Sequence, residues 1–168
     1  QGSSRASFNT SALDKVDPAG PQTILLLGAD RRWGGYGAGG PVHSDTMMLV
    51  HLDAAQGISV LSIPRDLKAQ IPGTKGYNKI NAAMAIGGPA LAIKTVKQLL
   101  GPRIKISHAV TVNFRGFRHA VDKVGCVYTD VDRHYFNDNS PPYGGGANYA
   151  VINVKAGYQR LCGQQALD

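Results

Sequence analysis

The acids of this chain are all aspartate: eleven Asp and no Glu stand against eighteen Lys and Arg. Any carboxylate chemistry must therefore use Asp. Asp30-Arg31-Arg32, Asp45 and Arg65-Asp66 combine carboxylates with guanidinium groups. Two carboxylates can hold a hard cation such as Mg²⁺, which keeps water and substrate phosphate as its other ligands. Arg forks bind phosphate oxygens bidentately. Metal and Arg together stabilise the charge that develops in phosphoryl transfer. The plainer reading, Asp–Arg salt bridges at strand ends, stands beside this one until the elements show whether the clusters meet.

One assumption about how the elements pair brings them together. Thr23–Gly28 (TILLLG), Thr46–Leu52 (TMMLVHL) and Ile58–Ile63 (ISVLSI) are short apolar runs that read as buried strands. The turn DAAQG, residues 53–57, is short enough for an antiparallel hairpin between the second and third runs. If the first two runs are also antiparallel, three places share one edge of the sheet: the end of the first, the start of the second and the end of the third. Those places hold Asp30-Arg31-Arg32, Asp45 and Arg65-Asp66. Strand ends at a loop-rich edge are where sites sit.

The remaining chain is read more coarsely. Residues 31–43, with five glycines, form a loop, as do Arg65–Asn78. A helix over Lys79–Ile86 is broken at Gly87-Gly88, and a second begins at Pro89 and stops at Gly101. Its apolar positions, Ala92, Ile93, Val96, Leu99 and Leu100, mark one face. That face is either core or the wall of a hydrophobic groove. Strands are expected over His108–Phe114, Cys126–Val131 and Ala150–Val154, a helix over Arg115–Val124, and a long loop over Asp132–Tyr149. Strands and helices mixed in one core make the class α/β with a mixed sheet. Residues 1–22 read as a flexible arm and 23–168 as one domain.

Composition bounds the function classes. Glycine is 21 of 168 residues and charged residues are 17%, which disfavours coiled coils and helical repeats. The formal charge of +7 suits an anionic partner: a phospholipid surface, a phosphorylated substrate or a nucleic acid. No aromatic-basic stripe supports nucleic acid. GGYGAGG lacks the Gly-Lys-Ser/Thr of a P-loop, and the five histidines show no metal-ligand spacing. There is no GxSxG elbow and no CxxC motif. Cys126 and Cys162 are either free thiols or one disulfide. No apolar run approaches the roughly 18 residues of a membrane span. The chain starts at Gln1 rather than Met, so it reads as a processed or engineered piece.

At the same residues the chain resembles a known family. ILLLGADRR, HSDTMMLVHLD, VLSIPRD, IPGTKGYNKINAAMAIGGP, TVKQLLG, VNFRGFRHAVDKVGCV and GYQRLCGQQALD occur in this order. Together they look like the LytR–CpsA–Psr family, from about Thr23 to Asp168. The resemblance implies an α/β/α sandwich whose helices and sheet enclose a lipid tail. It implies an extracytoplasmic enzyme, tethered by an N-terminal membrane helix absent here. Such enzymes transfer a glycopolymer (arabinogalactan, teichoic acid or capsule) from a polyprenyl-pyrophosphate carrier to peptidoglycan, with pyrophosphatase activity as a further expectation.

The family's motifs assign roles residue by residue. Its Mg²⁺-binding carboxylates fall on Asp30 and Asp45, and its pyrophosphate-binding arginine on Arg65. Arg31 is expected to face phosphate as well, and Asp66 to orient Arg65. Lys79 and Asn81 match the KIN motif beside the site. His43 stands where many members carry Arg, with Arg32 as the substitute. An extracytoplasmic setting implies a Cys126–Cys162 disulfide. The family pattern continues into a Tyr-x-Arg-x-Arg stretch past QALD, whereas this sequence stops at Asp168. The expectation is a catalytic domain lacking its C-terminal part, whose activity without it is open. The alternative reading is a non-catalytic module that binds polyprenyl phosphate or an anionic polymer.

Overall fold

The computed structural model describes residues 10–29, 42–138 and 151–167. The chain divides into two compact units, Gln1–Asn113 and Phe114–Asp168.

The first unit is built on a four-stranded sheet: β1 (Gln22–Ala29), β2 (Ser44–Asp53), β3 (Gly57–Ser62) and β6 (His108–Val112). The order is β3-β2-β1-β6, with β1 antiparallel to β2, β2 antiparallel to β3, and β1 parallel to β6. The β2–β3 hairpin inferred from the short turn and the antiparallel β1–β2 pairing assumed beside it are both present, and the sheet is mixed. A small hairpin of β4 (Lys68–Gln70) and β5 (Tyr77–Lys79) leads into α1 (Ala82–Leu100). The core lies between α1 and one sheet face. Leu25, Leu27, Met47, Leu49 and Ile63 meet Ala92, Ile93 and Val96 there. These three α1 residues are fully buried, so this part of the face is core, whereas Leu99 is exposed and Leu100 is only partly buried.

The second sheet face is apolar too. Period-two alternation puts Ile24 and Leu26 of β1, Met48 and Val50 of β2, and Val60 of β3 on it, opposite the α1 side. Val110 of β6 joins them through its pairing with Leu26. This face is far more open: Val60 is 58% and Val110 43% accessible. A strand apolar on both sides reads as a continuous hydrophobic run, which is why TILLLG and TMMLV show no alternation.

Several sequence expectations are corrected. Arg65–Asn78 is not simply a loop, because residues 68–70 and 77–79 pair. The helix does not begin at Lys79, which ends β5. The expected break is present: Gly87 and Gly88 leave helical geometry and divide α1 into two helical segments, the second opening at Pro89. Gly88 takes φ +64° and ψ −162°, a conformation that side-chain-bearing residues rarely adopt. Half of the expected arm is fastened down. Ala12 is buried, and Asp14 accepts hydrogen bonds from Lys97 Nζ (2.8 Å) and the Ile106 amide (2.9 Å).

The second unit contains α2 (Phe114–Lys123), β7 (Val127–Val131), β8 (Tyr135–Asn137), β9 (Ile152–Val154), β10 (Gly157–Leu161) and α3 (Gly163–Leu167). β7 pairs antiparallel with β10, and β8 with β9. β8, β10 and α3 were not foreseen. β8 lies within the expected loop over 132–149, of which residues 139–149 are outside the described residues. Cys126 and Cys162 form a disulfide, with Cα atoms 4.4 Å apart. It joins the entry of β7 to the exit of β10. Cys126 itself has φ +73°, following Gly125 at +87°, as the chain reverses from α2 into β7.

Converting Cys126 and Cys162 to Ser should lower stability by about 2–4 kcal/mol in thermal or denaturant unfolding, and unreduced, denatured protein should contain no titratable thiol. For Asp14, whose side chain is 18% exposed, burial pushes the carboxyl up. The Lys97 and Ile106 hydrogen bonds and the charges of Lys97 and Lys105 outweigh burial and hold it below 3.8. A carboxyl lowered in the folded state stabilises above its unfolded value, and that contribution is lost as pH falls through the folded value. Asp14→Ala should therefore cost about 1.5–3 kcal/mol at neutral pH, and the gap between variant and parent should shrink as pH drops below about 4.

Candidate functional site

Asp45 sits in a β-bulge. Gly28 pairs with Thr46 and Ala29 with Ser44, so no β1 residue opposes Asp45. A bulge interrupts the in–out alternation and re-aims a side chain. Along β2, Ser44 is buried, Asp45 and Thr46 are exposed, and Met47 is buried again. The Ser44 hydroxyl donates to the Thr46 carbonyl (2.8 Å), with the Gly28 carbonyl 3.2 Å away. Gly28 must be small, because a Cβ there would stand 2.9 Å from the Thr46 Cβ. These contacts fix the strand end that precedes Asp30 and the bulge that carries Asp45.

Arg65 reaches the same end from β3. The Ile63 amide donates to the Met47 carbonyl (2.8 Å). Pro64, with no N–H, ends the ladder. Arg65 Nη1 then donates to Asp45 Oδ1 at 2.6 Å, while its Nε lies 3.9 Å from Asp66 Oδ2. The β4–β5 hairpin returns the chain beside this turn: the Ile80 amide donates to the Leu67 carbonyl (2.8 Å) and the Asn81 amide to the Arg65 carbonyl (3.2 Å). Lys79 Nζ consequently meets Asp66 Oδ1 at 2.8 Å.

The result is a line of alternating charge, Asp45–Arg65–Asp66–Lys79, at one end of the sheet. Asp45, Asp66, Arg65 and Lys79 are each about half exposed or more. Exposed pairs of this kind stabilise little, about 0–1 kcal/mol each. They hold the guanidinium and ammonium groups in place yet can exchange partners. The Lys79 hydrogen bond holds the Asp66 carboxyl below 3.8, against some desolvation, aided by the charges of Lys79 and Arg65.

Of the residues singled out from sequence, Asp45, Arg65, Asp66 and Lys79 come together through side chains. Asn81 is buried and acts through its backbone amide on Arg65. His43 is exposed immediately before Ser44. Asp30, Arg31 and Arg32 lie outside the described residues, directly after the end of β1. Sequence reading missed Ser44 and the positioning role of Gly28. The available signal was a small hydroxyl residue directly before Asp45, and a glycine two residues before Asp30.

The LytR–CpsA–Psr (LytR_cpsA_psr) family model matches residues 2–168. The chain belongs to the LytR–CpsA–Psr family. It is 34% identical over 164 residues to polyisoprenyl-teichoic acid–peptidoglycan teichoic acid transferase TagU of Bacillus cereus (strain AH820), covering 97% of this chain and 48% of that protein. Among solved structures it is similar to B. subtilis TagV, with a TM-score of 0.69 and 32% identity over 88% of this chain and 54% of that one. It is also similar to the LytR–CPS2A–psr family protein YwtF (TagT) with bound octaprenyl pyrophosphate lipid. There the TM-score is 0.68 and the identity 29%, over 92% of this chain and 58% of that one. The chain thus spans about half the length of the family members it matches. Its α/β fold with a mixed central sheet is the family's fold.

The Asp66–Lys79 contact gives a direct test. In a carboxyl-observed NMR titration the Asp66 midpoint should lie below 3.8, so that the pair is complete above that range and is lost as pH falls through it. Lys79→Met should bring the midpoint back up. A midpoint indifferent to that change would mean that the two groups do not meet in solution.

Proposed function

We propose that this chain forms part of an extracytoplasmic, membrane-tethered phosphotransferase that moves a glycopolymer from a polyprenyl-pyrophosphate carrier to peptidoglycan. The observation that carries this reading is the Asp45–Arg65–Asp66–Lys79 line, set at the end of a sheet whose second face is apolar. The charged line suits a diphosphate and the apolar face suits a polyprenyl chain. The named activity of TagU and the lipid bound to TagT support the same reading.

In the proposed reaction an acceptor hydroxyl forms a new P–O bond at the phosphorus bearing the glycan. The bridging P–O bond to the carrier breaks, polyprenyl phosphate leaves with that bond's electron pair, and the hydroxyl proton passes to the leaving phosphate or to solvent. In this reading Arg65 neutralises the negative charge on the leaving phosphate. Its guanidinium exchanges Asp45 for phosphate oxygens, and its fork gives two parallel hydrogen bonds where Lys would give a point charge. Asp66 keeps Nε oriented, Lys79 adds a second cation, and the Asn81 amide holds the Arg65 backbone. Arg31, Arg32 and His43 are assigned to the phosphate side of the same edge.

Asp45 poses an electrostatic problem that a cation solves. A diphosphate drawn to Arg65 meets the Asp45 carboxylate, and two anions at this separation repel. Asp45 offers exposed hard oxygen donors, and Asp30 follows the β1 end that the bulge packs against. This donor set fits Mg²⁺, which keeps phosphate and water as further ligands. When bound, Mg²⁺ would neutralise phosphate charge at the reacting centre.

The test separates head from tail. Arg65→Ala should weaken binding of a polyprenyl diphosphate and of a tail-less diphosphate by the same factor, about 10- to 150-fold, for a lost charged hydrogen bond. Arg65→Lys should recover only part of the loss. Asp45→Ala should remove the metal dependence of diphosphate binding and leave the fold intact. Unchanged affinity in all three variants would move the phosphate site away from this edge.

A further inference from the structure

A cavity of the first unit lies away from the charged edge. It lies on the α1 side of the sheet at the opposite end, where Thr23 pairs with His51 and His51 with Ser59. Thr23 is six positions from Ala29 along β1, about 20 Å at strand rise. The cavity has a volume of about 710 Å³, within the roughly 300–1,000 Å³ of small-molecule sites. Val16, Leu49, Leu61, Leu100 and Ile104 form its apolar wall. Leu49 lies deep, while Leu61 is half exposed at the rim on the edge strand β3.

The polar groups of this cavity are unevenly charged. Arg103 and Lys105 line it and are exposed, whereas Asp17 is the only acid among the lining residues. Neither cation forms an ion pair with a described residue. The histidine is already engaged, its Nδ1 2.9 Å from the Thr23 hydroxyl. An apolar pocket with two unpaired cations at its exposed margin is complementary to one kind of molecule, an anionic head on a hydrocarbon chain. The apolar rim on β3 beside those cations extends this match from a single molecule to a bilayer surface.

We propose that this cavity seats an acyl chain of an anionic phospholipid, with Arg103 and Lys105 on its phosphate, and that it docks this end of the first unit on an anionic bilayer. The site is separate from the diphosphate edge and does not depend on the transferase reading.

The test uses vesicles of phosphatidylcholine alone and of equal parts phosphatidylcholine and phosphatidylglycerol. The chain should co-sediment with the second and not with the first. A cation near an anionic surface contributes about fivefold in affinity, so Arg103→Gln with Lys105→Gln should weaken binding about 30-fold. Lys123→Gln with Lys155→Gln removes the same charge from the second unit and should weaken it far less. Equal losses from the two pairs would mean attraction by net charge alone and would overturn the proposal, as would no vesicle binding. Lys105 also acts on Asp14, so Arg103→Gln alone, with an expected loss of about fivefold, covers a failure of the double variant to fold. Soluble dihexanoylphosphatidylglycerol should bind and should lose affinity in Ser59→Trp, which fills the cavity. Inorganic phosphate competing as well as the short-chain lipid would make this a free-phosphate site and overturn the lipid assignment. Heparin binding with the same sensitivity to Arg103 would do so in favour of a polyanion.

Discussion

The constraint on which the site depends is the register of three antiparallel strands. Leu27, Met47 and Ile63 lie abreast, and all three are buried against α1. Because side chains alternate with period two, a one-residue slip would turn every core residue of a strand to the opposite face. Burial therefore locks the register, and the register locks the strand ends. Asp45 and Arg65 meet because Met47 and Ile63 must. The bulge then decouples Asp45 from the alternation, so that the carboxylate faces outward while Ser44 on one side and Met47 on the other stay buried.

The second layer of control is electrostatic and deliberately weak. Each ion pair in the Asp45–Arg65–Asp66–Lys79 line is exposed and contributes little to stability. A buried, rigid arrangement would hold the guanidinium so tightly that a phosphate would have to displace it at high cost. Here the backbone does the positioning, through the Arg65 carbonyl, the Asn81 amide and the β4–β5 hairpin. The side chains stay free to change partners. Rigidity in the chain and exchangeability in the charges are what a site for an anionic ligand requires.

The sheet serves two faces. One carries the core with α1, and the other is a half-open apolar surface running away from the charged edge. The first unit thus sets an ionic end and an apolar surface on the same strands, and at the far end of its α1 side it adds a cavity bordered by cations. The second unit is held differently. Its hairpins are short, its described core is small, and the disulfide ties its two longest strands. Cross-links of this kind matter most where burial is limited.

The sequence by itself determined the sheet and the chemistry. Unbroken apolar runs, a five-residue turn and Pro64 sufficed to predict three strands, the β2–β3 hairpin and the convergence of Asp45 with Arg65-Asp66, because those features are local, whereas the antiparallel pairing of β1 with β2 had to be assumed. An Asp-only acid set restricted the carboxylate chemistry, and the motif order identified the family. Tertiary structure decided what depends on distant partners. The β4–β5 hairpin was read as loop because strands of three residues carry too little pattern to see, yet it brings Lys79 to Asp66. The bulge at Asp45 leaves no composition signal, since it exists only as a mismatch between two strands. The break at Gly87-Gly88 was legible because two glycines before a proline interrupt a helix locally, but the sharing of one core by Ala83 before it and Ala92, Ile93 and Val96 after it depended on the sheet. Whether an apolar helix face is core or groove was likewise undetermined from the chain, because hydrophobic periodicity records that a face is covered and not by what.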